Sequence, residues 1–158
     1  MALTVRRAKE KDIPKILDLL VQVNMVHHKG RPDIFDGPAT KYQKEELLEM
    51  IGDGDKPIFV GVDEEDQVLG YLFCVKKIYK DDGIFHDRRE LYIDDFCVDE
   101  QVRGQGIGKL MFQYIRQYAK DEGFYDLTLN VWSCNPAAMK FYEAQGMQML
   151  KKEMELRL

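Results

Sequence analysis

The chain has little with which to hold a metal, cross a membrane or staple itself with disulfides. Its three cysteines, Cys74, Cys97 and Cys134, form no Cys-x-x-Cys pair, and an odd set of this kind points to free thiols in a reducing, cytoplasmic compartment. The three histidines, His27, His28 and His86, lack the spacing of a metal-ligand set, so no metal is expected. No apolar run approaches the roughly 20 residues needed to span a bilayer, and the N-terminus carries no signal-type apolar region. With a net charge of −5 and no basic stripe with interleaved aromatics, nucleic acid is not an expected partner. Internal repeats, low-complexity tracts and linkers are also missing, and a single domain over residues 1–158 is expected.

What is present reads as an alternation of strands and helices. Leu3 to Ala8 forms a short strand. Asp12 caps a helix whose Ile13, Ile16, Leu17, Leu20 and Val21 recur at helical spacing. His27 to Pro38, broken by Gly30, Pro32 and Gly37, reads as a loop, and Lys41 to Ile51 as a second helix. Ile58 to Val62 and Val68 to Val75 are strands joined by an acidic turn; Lys80 to Arg89 is a charged connection, and Leu91 to Val98 a buried strand. Ile107, Leu110, Met111, Tyr114, Ile115, Tyr118 and Ala119 make a continuous apolar stripe that ends at Gly123. Tyr125 to Val131 alternates as a strand, Asn135-Pro136 opens a last helix that Gly146 closes, and Met147 to Leu156 can return as a strand. The order β-α-α-β-β-β-α-β-α-β predicts a mixed α/β (α+β) fold, one mixed sheet with helices on both faces. The crossover through the third helix places strands 91–98 and 125–131 side by side and parallel.

The most informative segment is Arg103-Gly104-Gln105-Gly106-Ile107-Gly108, where a strand turns into a helix. Three missing Cβ atoms let the backbone curl so that successive N–H groups face one point, beside the positive end of a helix dipole. Such a turn binds phosphate without a cationic side chain, or is simply a tight turn. The nucleoside-triphosphate loop fails here, because Arg103 stands where its first glycine belongs and Leu110 where its hydroxyl belongs. The dinucleotide fingerprint fails at Lys109, where it needs a glycine.

Arg103, Gly106 and Gly108 match Arg/Gln-x-x-Gly-x-Gly/Ala, which resembles the acetyl-CoA pyrophosphate loop of the GNAT superfamily of N-acetyltransferases. Asn135-Pro136-Ala137-Ala138-Met139-Lys140-Phe141-Tyr142-Glu143-Ala144-Gln145-Gly146-Met147 is similar to that family's Asn-x-x-Ala-x-x-Phe-Tyr-x-x-x-Gly-Phe segment, with Met147 replacing the usual aromatic. The strand Tyr92 to Val98 looks like the family's fourth. The resemblance implies acetyl-CoA as co-substrate, held by backbone groups of Phe96, Cys97 and Val98 and by the turn Arg103, Gly104, Gln105, Gly106, Ile107, Gly108 and Lys109. It also implies that Asn135 bonds the pantetheine and that the two parallel strands splay to admit it.

Acetyl transfer to an amine needs a neutral amine, a donor for the thioester oxygen as it becomes anionic, and a proton for the departing thiolate. The resemblance implies Tyr142 as the acid, seven residues and two helical turns after Asn135. Asp94 stands where several relatives carry a Glu that serves as base, often through water; Asp95 or a water chain is the alternative, and Glu90 a weaker candidate. Adjacent strand residues face opposite sides, so Leu91, Ile93 and Cys97 share Asp95's side unless a bulge intervenes. The His27–Phe35 segment borders the acceptor pocket in the family, so His28, Arg31, Phe35 and Asp94 are the candidate substrate contacts. The expected reaction is direct transfer in a ternary complex to a small-molecule or protein amine, with a homodimer as an open assembly state. A noncatalytic acyl-CoA-binding module is the rival reading.

Overall fold

The computed structural model describes residues 2–158. Its elements are β1 (Thr4–Arg7), α1 (Ile13–Gly30), α2 (Lys44–Ile51), β2 (Ile58–Val62), β3 (Val68–Tyr79), β4 (Arg88–Val98), α3 (Ile107–Asp121), β5 (Asp126–Leu129) and α4 (Pro136–Ala144). The strands lie in chain order in one sheet. The first three neighbouring pairs are antiparallel, and β4 and β5, linked by α3, are parallel. This is the mixed sheet expected from the order of elements.

Each face of the sheet has its own apolar layer. Ile13, Ile16, Leu19 and Leu20 of α1 and Leu47 of α2 bury against Ile58, Val60, Tyr71, Phe73 and Cys97. On the other face Ile107, Met111, Phe112, Ile115 and Ala119 of α3 bury against Phe59, Leu72, Leu91 and Ile93. Each such side chain, fully buried, contributes on the order of 1.5–3 kcal/mol. α4 joins the second layer through Phe141 and Tyr142. It starts where the chemistry of its sequence dictates: the Asn135 side-chain oxygen accepts the Ala138 N–H at 3.2 Å, and Pro136, which has no N–H to satisfy, takes the first helical position.

Several boundaries differ from the sequence reading. His27 to Gly30 form the last turn of α1 rather than a loop, and the Arg31 N–H closes that turn on the His27 carbonyl. β3 and β4 are longer because aromatic rings hold their charged ends on the sheet. The Lys77 ammonium lies 4.1 Å from the Tyr92 ring centre, and the Arg88 guanidinium 4.0 Å from that of Tyr79. Residues 147–158 form no strand. Instead Glu155 accepts two hydrogen bonds from Arg31 at 3.0 Å, which draws this segment across the loop after α1.

A β-bulge changes the facing of β4. Phe73 sits opposite Asp95 and Cys74 opposite Ile93, so Asp94 is an extra residue. Leu91 and Ile93 therefore face α3, whereas Cys97 faces α1 and Phe96 and Val98 face α3. The simple alternation that grouped Leu91, Ile93 and Cys97 on one side is corrected by this one residue. β4 also loses its other neighbour here, because pairing with β5 ends at Ile93–Leu129. Bulge and splay coincide.

Candidate functional site

Beyond Ile93, β4 has no strand on its β5 side. At its end the chain turns around Asp99, a buried carboxylate that accepts the Gln101 N–H at 3.1 Å and pairs with Lys15 of α1. Gly104 and Gly106 then take φ of 81° and 78°, the left-handed region that side chains with a Cβ resist. A Cβ added at either would meet no protein atom within 4 Å, so the space over the turn is open. Gly108 has a different reason: a Cβ there would come within 3.4 Å of the Phe141 ring, so its absence lets α4 pack close to α3.

Gly106 is the cap of α3, and its carbonyl accepts the Leu110 N–H at 3.1 Å. The amides of Ile107, Gly108 and Lys109 begin the helix and have no residue four positions earlier in helical form to bond. They face the open space with the positive end of the helix dipole, an arrangement that suits a pyrophosphate. The Arg103 Nε–H donates to the Val98 carbonyl at 3.2 Å, so this side chain ties the turn back to β4. Ile107 is buried, while Gln105 and Lys109 are exposed.

Tyr142 reaches the opening from α4. Its ring lies 6.4 Å from Phe96 and 6.3 Å from Phe112. Burial, then the nearby Asp95 and Cys97, push its phenol above the usual tyrosine range. It therefore stays protonated at neutral pH. Asn135 sits two turns back on the same helix, with its side-chain oxygen engaged as the cap and its amide NH2 left over.

The two aspartates occupy different surroundings. Asp94 accepts from Lys41 Nζ at 3.0 Å and from the Tyr42 hydroxyl in a short contact. Tyr42 stacks on Phe73 at 5.4 Å, and burial followed by the bond to Asp94 raises its phenol. Asp95, half-buried on the α1 side of the sheet, is pushed up to about 6 chiefly by burial, with Asp94 adding to the rise and Lys41 opposing it. The Tyr71 hydroxyl near it is buried without a hydrogen-bond partner; its weaker influence on Asp95 also opposes the rise. Glu90 lies at the other end of β4, where Arg88 donates to it at 3.2 Å and Thr128 at 2.8 Å.

The acceptor side departs furthest from expectation. His28 donates from Nδ1 to the Phe35 carbonyl at 2.7 Å, and Arg31 is clamped between Asp33 and Glu155. Both hold the loop in shape rather than meeting Asp94. Phe35 does form a wall, with its ring 5.0 Å from His27 and 4.9 Å from Trp132. His27 is held below its usual range by burial and then by Lys41, so it is neutral at pH 7. Lys41, Tyr42, Tyr71 and Trp132 were not singled out in the sequence. Tyr42 lies 52 residues from Asp94, and no local pattern announces a pairing at that separation.

A cavity of about 240 Å³ continues beneath Asp94, lined by Tyr42, Glu46, Glu49, Met50 and Phe73 among others. A larger concavity of about 510 Å³ at Ile78, Arg88, Arg89 and Tyr125 lies at the opposite end of β3 and β4 and contains none of these groups. Among the described residues, no three His, Cys, Asp or Glu side chains are grouped to hold a metal ion. No described helix is long and apolar enough to cross a membrane.

Comparison with known proteins points the same way. The family model described as the acetyltransferase (GNAT) family matches residues 5–147. A mutant of the BH1408 protein from Bacillus halodurans superposes with a TM-score of 0.93 at 31% identity, over 98% of this chain and 99% of that one. Thialysine N-epsilon-acetyltransferase of Bos taurus is 29% identical over 91% of this chain and 83% of its own length. Peptidyl-lysine N-acetyltransferase YjaB of Salmonella typhimurium is 25% identical over 92% of this chain and 83% of its own.

Proposed function

The chain belongs to the acetyltransferase (GNAT) family and is an acetyl-CoA-dependent N-acetyltransferase, and from that premise we propose that it transfers the acetyl group directly to a primary alkyl amine while both substrates are bound. One observation carries the reading: where β4 leaves β5, Asp95, with a pKa of about 6, lies close enough to Tyr142 to help raise its phenol. A base that titrates near neutrality and an acid that stays protonated are the pair that this reaction needs.

In this reading the turn Arg103–Lys109 and the amides at the start of α3 hold the pyrophosphate of acetyl-CoA. The backbone of Phe96, Cys97 and Val98, free of β5, meets the pantetheine and the acetyl carbonyl, with the Asn135 amide nearby. Bound acetyl-CoA supplies an activated thioester. The incoming ammonium first gives one proton to solvent, and as the neutral amine nitrogen bonds to the acetyl carbon its surplus proton passes to Asp95, directly or through water. The C–S bond breaks and the Tyr142 O–H delivers its proton to the leaving sulfur. Asp94 is assigned a different part from the base that its sequence position implies. Held by Lys41 and Tyr42, it fixes the wall of the acceptor pocket and supplies negative charge towards an incoming cation.

The acceptor class rests on support of two kinds. The relatives' names describe action on thialysine and on peptidyl-lysine, both carrying an amine at the end of an alkyl chain. Here the Phe35–His27–Trp132 wall offers apolar surface, which suits an alkyl chain ending in an amine. The same reading has a small-molecule or protein amine as partner, with a homodimer as an open assembly state. It also sets the enzyme in the cytoplasm, where the three free thiols Cys74, Cys97 and Cys134 stay reduced. The test is CoA-thiol release over a panel of amines, run with the wild type and Tyr142→Phe. Turnover of alkyl primary amines that collapses in the variant supports the reading; release that is independent of added amine, or equal in both proteins, overturns it.

A further inference from the structure

One buried polar group takes no part in the chemistry above. Tyr71 of β3 is wholly buried in the layer between the sheet and α1. Its hydroxyl has no hydrogen-bond partner among the described residues. A phenylalanine would fill the same space without stripping a hydroxyl of its water, so an orphaned phenol in a core calls for a reason.

The register of the sheet supplies one. Tyr71 stands opposite Cys97 and Phe73 opposite Asp95, so Tyr71 and Asp95 are diagonal neighbours. An aromatic side chain spans that separation when both residues share a face. They do, because the bulge at Asp94 turns Asp95 to the α1 side, where Tyr71 and Phe73 already lie. Phe73 packs edge-on against the Tyr71 ring at 4.9 Å, which fixes the direction of the phenol. Burial, then Asp95 and Cys97, hold that phenol well above the usual tyrosine range, so it keeps its proton and acts only as a donor.

The other titratable groups that face Asp95 are Asp94, Tyr92 and Cys97 of β4, Lys41 and Tyr42 from the loop before α2, and Tyr142 of α4. α1 packs on this face through the apolar Ile16, Leu19 and Leu20. Lys41 and Tyr42 are engaged with Asp94, and Tyr142 serves the sulfur in the reaction proposed above. Tyr71 is the remaining phenol, and its donor is unused.

We propose that Tyr71 is a positioning residue for the base: its O–H turns to Asp95 when that carboxyl is ionised and holds one oxygen, so that the other faces the amine. The proposal rests on the reading of Asp95 as proton acceptor. Tyr71 touches neither substrate and keeps its proton throughout. Once Asp95 has taken the amine's proton it accepts more weakly; loss of that proton to solvent restores the charge-assisted bond and resets the base. A donor to the ionised form opposes the rise that burial imposes on a carboxyl.

Tyr71→Phe removes one oxygen and keeps the ring. Its kcat/KM for one amine over pH 5–9, divided by that of Asp95→Asn, is expected to reach half of its plateau about one pH unit higher than the wild-type ratio does, with KM for acetyl-CoA unchanged. The carbon-13 shift of the Asp95 carboxyl, followed over the same range without substrate, should show the same displacement, which a packing defect would not produce. Fluorotyrosine incorporated at Tyr71 keeps the hydroxyl and makes it a stronger donor, so there the midpoint should fall below that of the wild type. A wild type that titrates near pH 6 with an unmoved midpoint in Tyr71→Phe overturns this proposal and leaves Asp95 as the base. A flat wild-type ratio removes Asp95 as the base, and the role of Tyr71 falls with it.

Discussion

The two halves of the site are built by different means. The cofactor half, from the end of β4 through α3 to α4, is made mainly of backbone: two left-handed glycines, unpaired helix amides and a strand freed of one neighbour. The acceptor half is made of side chains gathered from the end of α1, the loop before α2 and the bulge in β4. Backbone sites tolerate few residue types at their special angles, so they leave a local signature. Side-chain walls can be assembled from many sequences, so selectivity can change there while the cofactor half stays constant.

The largest expected effect is at the junction of the halves. Tyr142→Phe keeps the ring packed on Phe96 and Phe112 and removes only the proton donor, so turnover should fall by about 10²–10⁴-fold. Acetyl-CoA affinity by calorimetry and the melting temperature should stay close to wild type. Loss of affinity in this variant would mean that the two halves are not separable.

On the cofactor side, Gly106→Val forces a β-branched residue to φ near 78°, at a cost of about 1–3 kcal/mol. The variant is expected to lose the melting-temperature rise that acetyl-CoA gives the wild type, which should correspond to about 2.7 kcal/mol at a hundredfold excess over Kd. Gly108→Ala meets the edge of the Phe141 ring and the Val98 side chain at contact distance and should retain most of that rise. Equal losses in both variants would argue against an open phosphate cradle over Gly104 and Gly106.

Asp95 makes a stability prediction with a definite sign. Its folded value of about 6 lies above that of an unperturbed aspartate, so the folded protein binds this proton more tightly than the unfolded chain does. Ionising it therefore destabilises the fold as pH rises through about 6, by at most about 3 kcal/mol. Asp95→Asn should melt higher than the wild type at pH 8, and the difference should vanish as pH falls below the unfolded value near 4. A variant less stable at pH 8 would show that the carboxylate is held in the fold by partners rather than merely buried.

The smallest effects belong to the acceptor wall. Phe35→Ala should raise KM for the amine several-fold, in line with about 1 kcal/mol for a lost aromatic contact, and leave acetyl-CoA binding unchanged. Asp94→Asn keeps an oxygen for Lys41 and turns its NH2 to the Tyr42 hydroxyl, which can accept, so it too should act mainly through the amine's KM. A large fall in kcat with an unchanged KM would restore Asp94 as the proton acceptor.

These contrasts follow what the sequence could show. Gly104, Gly106, the Asn135-Pro136 cap and the α3 stripe are dictated by local angles and helical spacing, and each lies where that spacing predicts. The facing of β4 was not legible, because one inserted residue at Asp94 reverses the alternation and depends on pairing with β3. His27–Gly30 read as a loop from its glycine and the following proline, but packing of His27 on Phe35 and Trp132 carries α1 through it. The Lys41–Asp94 and Tyr42–Asp94 contacts join residues far apart in the chain, and only tertiary folding creates them.

The central claim is that Asp95 takes the amine's proton at the point where the halves meet. Its most direct test is kcat/KM for one amine across pH 5–9 in the wild type and in Asp95→Asn, taken as a ratio so that the amine's own titration cancels. The ratio should climb through a midpoint near pH 6, where Asp95 ionises, and stay level above it. A ratio that is flat across the whole range would contradict the assignment and leave Asp95 a structural carboxyl.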